Sequence, residues 1–316
     1  MVSVSVPIWL TLTRIELAMP SAIPRASPLP AGEEEFTALR LLQPKCYLIS
    51  DRGRMKMEQS ADIAVPAPLS AAPRRRFIAY HKWDRNFFLV FLALCWLGVL
   101  MGFAPAVELR RTGHADYPAP LVLQIHAVAF SGWMILLTTQ ILLIRARRPL
   151  IHMRLGMISV ALIPLMTVTA FLSEVYSQNF RFREPDEKAF FAIAIYYVIA
   201  FPILATLAIV ARKNPAGHKR LILLATTIIV GAAYGRWWGG PLYRLVGDGL
   251  FGTLIYTFAA ADLLILGAVA YDWWTRGRPH RVYEIAVPAI LLGQIATTVV
   301  YHSPRWQPIA RFIVGR

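Results

Sequence analysis

The sequence predicts an all-α polytopic membrane bundle of seven transmembrane helices, arranged as one helix followed by three hairpins. Three observations predict it. First, 57% of the 316 residues are hydrophobic, only 16% are charged and the mean hydropathy is +0.50, whereas a soluble domain carries about 25% charged residues. Second, seven apolar runs follow Phe87, each close to the roughly 20 residues that a helix needs to cross about 30 Å of hydrocarbon. Third, a basic motif recurs between the runs. Pro-x-x-His-x-Arg-Leu occurs at Pro149, His152, Arg154 and Leu155, and again at Pro215, His218, Arg220 and Leu221. A looser version, RGRPHR from Arg276 to Arg281, punctuates the last pair of runs.

Residues 1–72 read differently. They are rich in Pro, Ala, Ser and Glu, without helical or alternating period, and are expected to be a disordered or mis-annotated N-terminal extension, with translation starting at Met55 or Met57. No secretory signal is expected there, because Arg14, Glu16 and Pro20 interrupt the only early apolar stretch. The seven-helix domain is expected over 73–304, and 305–316 as a short C-terminal tail.

The predicted helices are Phe87–Val107, Leu121–Ile144, Leu155–Glu174, Ala189–Ala211, Leu221–Trp238, Leu250–Trp274 and Val282–Tyr301. Pro164, Pro202 and Pro288 fall inside three of them, where neighbouring helices can re-satisfy the freed carbonyls. The segments 74–86, 145–154, 211–220 and 275–281 hold sixteen Lys/Arg, against nine in the alternate segments. The positive-inside rule then puts the N-terminus in the cytoplasm and the C-terminus outside, in a bacterial inner membrane. The net charge of +15 is explained by these connectors, so a nucleic-acid partner is not expected; membrane lipids are. Cys46 and Cys95 alone give neither a disulfide framework nor a cysteine metal site.

Few polar groups inside the runs call for explanation. Asp262, twelve residues into the sixth run, and Gln294, twelve residues into the seventh from the opposite side, meet near mid-membrane. A carboxylate at that depth is costly unless hydrogen-bonded or facing a polar cavity. Together with Arg236 near the outer end of the fifth helix, they form the candidate substrate or proton path. Arg236 either pairs with Glu174 or snorkels to the interface. His152, Arg154, His218 and Arg220 are candidate lipid-headgroup contacts, or simply topological punctuation. His126 and His302 are the histidines at matching depth, and so the candidates for holding haem b or a quinone in an alternative redox reading; as a structural group, His126 would be hydrogen-bonded. No HxxxH, HExxH, Walker, GxGxxG or GxSxG signature is present, so no catalytic residue, no metal and no cofactor is expected in the leading reading.

The run HKRLILLAT from His218, YGR at Tyr234–Arg236, and the series from Asp262 through YDWWTRGRPH to His280 resemble a group of uncharacterised multi-spanning proteins of bacterial membranes. The resemblance covers roughly residues 80–282. It implies a multi-pass bundle and no particular activity. This chain departs from the group at Pro279-His280, where the order is usually His-Pro.

The functional expectation is therefore a non-enzymatic, transport-like or lipid-interacting bundle that uses Asp262. A haem- or quinone-associated redox subunit is the alternative.

Overall fold

The computed structural model describes residues 77–115, 118–181 and 190–315; the expected extension at 1–72 lies outside them. Ten α-helices occur among these residues, and no strand. They are α1 (Asp84–Arg111), α2 (Leu121–Arg145), α3 (Pro149–Gly156), α4 (Ile158–Arg181), α5 (Phe191–Val210), α6 (Pro215–Val246), α7 (Leu250–Leu254), α8 (Ala260–Arg276), α9 (Arg281–His302) and α10 (Trp306–Ile313). A single π-helical segment, Ile255–Ala259, joins α7 to α8. Counting α3 with α4 and α7 with α8, seven helices are long and apolar enough to cross a membrane. The chain is a multi-pass membrane protein.

The repeated motif is placed differently from the expected connector. Pro149 and Pro215 each occupy the first turn of a helix, α3 and α6, where a missing N–H costs nothing because that donor has no partner within the helix. The His and Arg of each motif therefore lie in helical turns that begin spans, and the connectors shrink to a few residues. Asn214 completes the start of α6 by accepting from the Gly217 N–H. The expected C-terminal tail contains α10, an eight-residue amphipathic helix that packs Ala310 against Phe191.

Helix α6 is the centre of the bundle. Two thirds of its most apolar stretch (67%) is buried, against 17–39% in the other six spans; the remaining faces have the large exposed Leu, Ile and Val side chains that a bilayer would cover. α1 approaches α6 closely because Gly98 and Gly102 lie on one face. A Cβ at Gly102 would fall on the Ala233 carbonyl, and one at Gly98 on the Tyr234 ring. This small-xxx-small contact sets the helix spacing, and Tyr234 secures it by donating to the Leu94 carbonyl at 2.9 Å.

Candidate functional site

Asp262 sits in the first turn of α8, directly after the π segment. An extra residue in the turn widens the helix and turns the following side chains, which is why such segments recur at functional sites. Gln294 of α9 donates its Nε2 to Asp262 Oδ1 at 2.9 Å. The amide is itself held in place: Gln294 is buried, and one turn on Thr298 hydroxyl donates to the Gln294 carbonyl. Tyr196 of α5 lies against both groups, with its hydroxyl beside Gln294, and Gly293 leaves room for its ring. Asp262, Gln294, Tyr196, Tyr197, Thr227 and Phe258 line a cavity of about 10 Å³, space for a single water.

Arg236, the third residue expected on this path, stacks over the Phe103 ring at 4.8 Å and donates to the Ala232 carbonyl at 2.7 Å. Tyr197 is within electrostatic range of both Arg236 and Asp262. Arg236 also acts on His126, whose Nδ1 is 3.3 Å from the Thr169 hydroxyl. His302, by contrast, engages the Thr253 hydroxyl through Nε2 at 2.8 Å, and Thr253 in turn meets the Tyr256 hydroxyl. The two histidines expected at one depth are thus held by different threonines on different helix pairs.

A polar face on α4 escaped the reading of the sequence. Thr169, Ser173, Glu174, Ser177 and Gln178 are all buried, at spacings of four and five residues that place them on one side of the helix. Gln178 donates to Glu174 at 2.5 Å. The Ser173 hydroxyl and the Gln178 carbonyl oxygen are buried without a hydrogen-bond partner among the described residues. With His126 and Arg236 alongside, this face makes the half of the bundle away from the basic motifs polar inside. The signal was present in the sequence as Thr169, Ser173 and Ser177, a serine/threonine row every fourth residue through an apolar run.

At the basic end, the buried charges are paired. Arg220, expected at a lipid headgroup, is a correction: its side chain is 3% exposed and its guanidinium grips Asp272 with Nε and Nη2 at 2.7 and 2.5 Å. Motif position alone could not show this, because the partner lies on another helix. Arg154 is exposed, as a headgroup contact requires. Asp84 accepts from Lys219, Tyr271 and, through both oxygens, Arg276, whose Nη1 also reaches Asp272 at 3.5 Å. The segment before α1 closes over this network. Lys219 donates to the Ala79 carbonyl and Arg276 to that of Ile78, while the Phe77 ring lies under the Arg220 and Arg276 guanidiniums at 4.7 and 5.5 Å.

His280, between α8 and α9, belongs to the same end. Its backbone N–H donates to Asp272, and its Nδ1 accepts from the Val282 N–H as the cap of α9. Burial, reinforced by the nearby Arg220, lowers its pKa to about 4. The ring is therefore neutral near pH 7, which is the state in which Nδ1 can accept.

No family model, curated protein or solved structure matches the chain.

Proposed function

We propose that the protein conducts protons across a bacterial inner membrane, with the basic end in the cytoplasm and Asp262 as the group that takes up and releases the proton. The observation that carries this reading is the setting of Asp262: a carboxyl inside a spanning helix, immediately after a π segment, with one amide partner and a cavity the size of one water. A carboxyl used only for structure would be surrounded by donors, as Asp272 is. The single-water cavity favours a proton over a larger solute. The polar face of α4 supplies hydroxyl and amide groups on the outer side, and Tyr197, which lines the cavity with Asp262 and is in electrostatic range of Arg236, is a hydroxyl able to pass a proton on. The resemblance to multi-spanning bacterial proteins and the bias of Lys and Arg toward one end support the location and orientation.

The test is proton flux into proteoliposomes, driven by a potassium diffusion potential and followed with an internal pH dye. Wild-type protein is expected to raise flux over empty vesicles. Asp262→Asn, which keeps the shape but cannot lose a proton, is expected to return it to the empty-vesicle rate. Equal flux from Asp262→Asn and wild type would overturn the proposal.

A further inference from the structure

The two histidines of the repeated motif, 66 residues apart in sequence, come together at the basic end with ring centroids 6.4 Å apart and planes at 87°. His152 arrives on α3 and His218 on α6, each three residues after the proline that starts its helix. The structure gives these rings no part in the Asp262 site, and neither joins the Arg220–Asp272 network.

The bonding of each ring fixes which nitrogen carries a lone pair. His218 Nδ1 lies 2.8 Å from the Ala208 carbonyl oxygen. A carbonyl only accepts, so Nδ1 carries the hydrogen and Nε2 of the neutral ring keeps its lone pair. The His152 ring interacts with the Gln140 backbone, and its Nδ1 is buried without a hydrogen-bond partner. His218 is thus anchored through one nitrogen by a backbone carbonyl and offers the other, which is how metal-ligating histidines are presented, and His152 offers an unpartnered Nδ1. The Gln140 side chain lies beside Gly156, one turn beyond His152 on α3, and both its Oε1 and its Nε2 are buried without a partner. Three unsatisfied polar atoms on two residues that interact through the Gln140 backbone need an explanation, and a bound ion is one of the few available.

The surrounding charge leaves room for a cation. Arg147, Arg148, Arg154, Arg212 and Lys213 are exposed, and Arg145 is turned toward the Arg85 carbonyl and Asn86. Lys219 and Arg220 are occupied by Asp84 and Asp272. The charge acting on His152 comes from His218, not from a guanidinium.

We propose that His152, His218 and Gln140 form a binding site for a divalent transition cation of the zinc class. His152 Nδ1 and His218 Nε2 are the nitrogen ligands, Gln140 Oε1 is the oxygen ligand, and water completes the shell. Two imidazoles on one such ion, with metal–nitrogen bonds of about 2.0 Å, have centroids about 5 Å apart at a tetrahedral angle, so binding draws the two rings roughly 1 Å closer than their 6.4 Å separation. Imidazole nitrogen suits zinc, cobalt, nickel and copper, whereas magnesium and calcium call for an oxygen shell that this site lacks. The ion would tie the start of α3 to the start of α6 and so join the two copies of the motif. The site stands independently of the proton reading.

The experiment uses the full chain in detergent, purified without a histidine tag, stripped with chelator and titrated with Co²⁺ as the spectroscopic probe. One equivalent is expected to bind with visible d–d absorption, and Zn²⁺ to displace it. His152→Ala and His218→Ala are each expected to weaken binding by at least about tenfold, at the low end of what even outer-shell changes do to metal sites. His114→Ala, an exposed histidine at the other end of the bundle, is expected to leave binding unchanged. Unaltered Co²⁺ affinity in the His152→Ala, His218→Ala double variant would mark the binding as adventitious and overturn the proposal, as would no binding by wild type at micromolar Co²⁺. Should a variant fail to purify, X-ray absorption of Co²⁺-loaded wild type decides: two imidazoles in the first shell support the site, and none or one overturns it.

Discussion

Asp262 and Asp272 lie on the same helix, α8, roughly 15 Å apart by helical rise, and the fold treats them in opposite ways. Asp272 receives Arg220 through both oxygens, a second guanidinium from Arg276 and the His280 backbone N–H, and is 1% exposed. Asp262 receives one side-chain amide and faces a cavity. A carboxylate surrounded by fixed donors has no reason to change its state and serves to hold helices together. One with a single neutral partner keeps lone pairs that a proton can use. The difference separates the polar groups that build this bundle from those that could act in it.

The largest expected effect tests the structural member of the pair. Arg220→Leu strands Asp272 as a buried charge with its main partner gone, and a loss of about 3–5 kcal/mol is expected, measured as the shift in the denaturant midpoint in detergent. Arg220→Leu combined with Asp272→Leu removes both charges and is expected to recover most of that loss. A double variant as unstable as the single one would show that the network does more than neutralise its own charges.

Asp262 is expected to respond less in stability and more in function. Asp262→Leu leaves the buried Gln294 amide without its acceptor, a cost of about 1–3 kcal/mol. Asp262→Asn keeps a hydrogen-bonding partner and is expected to cost under about 1 kcal/mol while abolishing flux. Should Asp262→Asn destabilise as much as Arg220→Leu, the contrast between the two carboxyls would collapse.

How far the sequence showed this contrast depended on whether one helix was enough to see it. Seven spans follow from length and hydropathy, which are local properties. The meeting of Asp262 with Gln294 follows from counting residues from opposite ends of neighbouring runs, because helical rise converts a count into a depth. The Arg220–Asp272 pair depends on how α6 turns against α8, and no local count gives that rotation; Arg220 therefore looked like surface punctuation. The convergence of His152 with His218 was hidden for the same reason, although the repeat announced both. The π segment before Asp262 left no mark in residue type, since Ile255–Ala259 reads as ordinary apolar helix.

A smaller effect is expected from the strap before α1. Phe77→Ala removes the ring beneath the Arg220 and Arg276 guanidiniums and is expected to cost about 1–2 kcal/mol, with proton flux unchanged. A chain starting at Met57 keeps this residue and is expected to match the full chain in stability, whereas one starting at Lys82 loses it together with the Ile78 and Ala79 carbonyls. Reduced flux in Phe77→Ala at full stability would tie the basic end to conduction and blur the division of labour.

The smallest expected effect concerns His280, which joins the structural network yet titrates. Its pKa in the folded protein is about 4, below the value of about 6.5 for an unfolded histidine. The unfolded chain therefore binds more protons between these values, and the stability tied to the neutral ring is complete above pH 6.5 and is lost as pH falls toward 4. The lone pair lost on protonation is the one that caps α9 through the Val282 N–H. Asn at this position keeps a cap acceptor and cannot gain the charge. The melting temperature of His280→Asn is therefore expected to match wild type at pH 7.5 and to exceed it modestly at pH 4.5, with carboxylate titrations common to both chains cancelling in the difference. Parallel curves for the two proteins from pH 7.5 to 4.5 would show that neither burial nor the neighbouring Arg220 holds His280 neutral. Its place in the charge network around Asp272 would then be one of position and not of electrostatics.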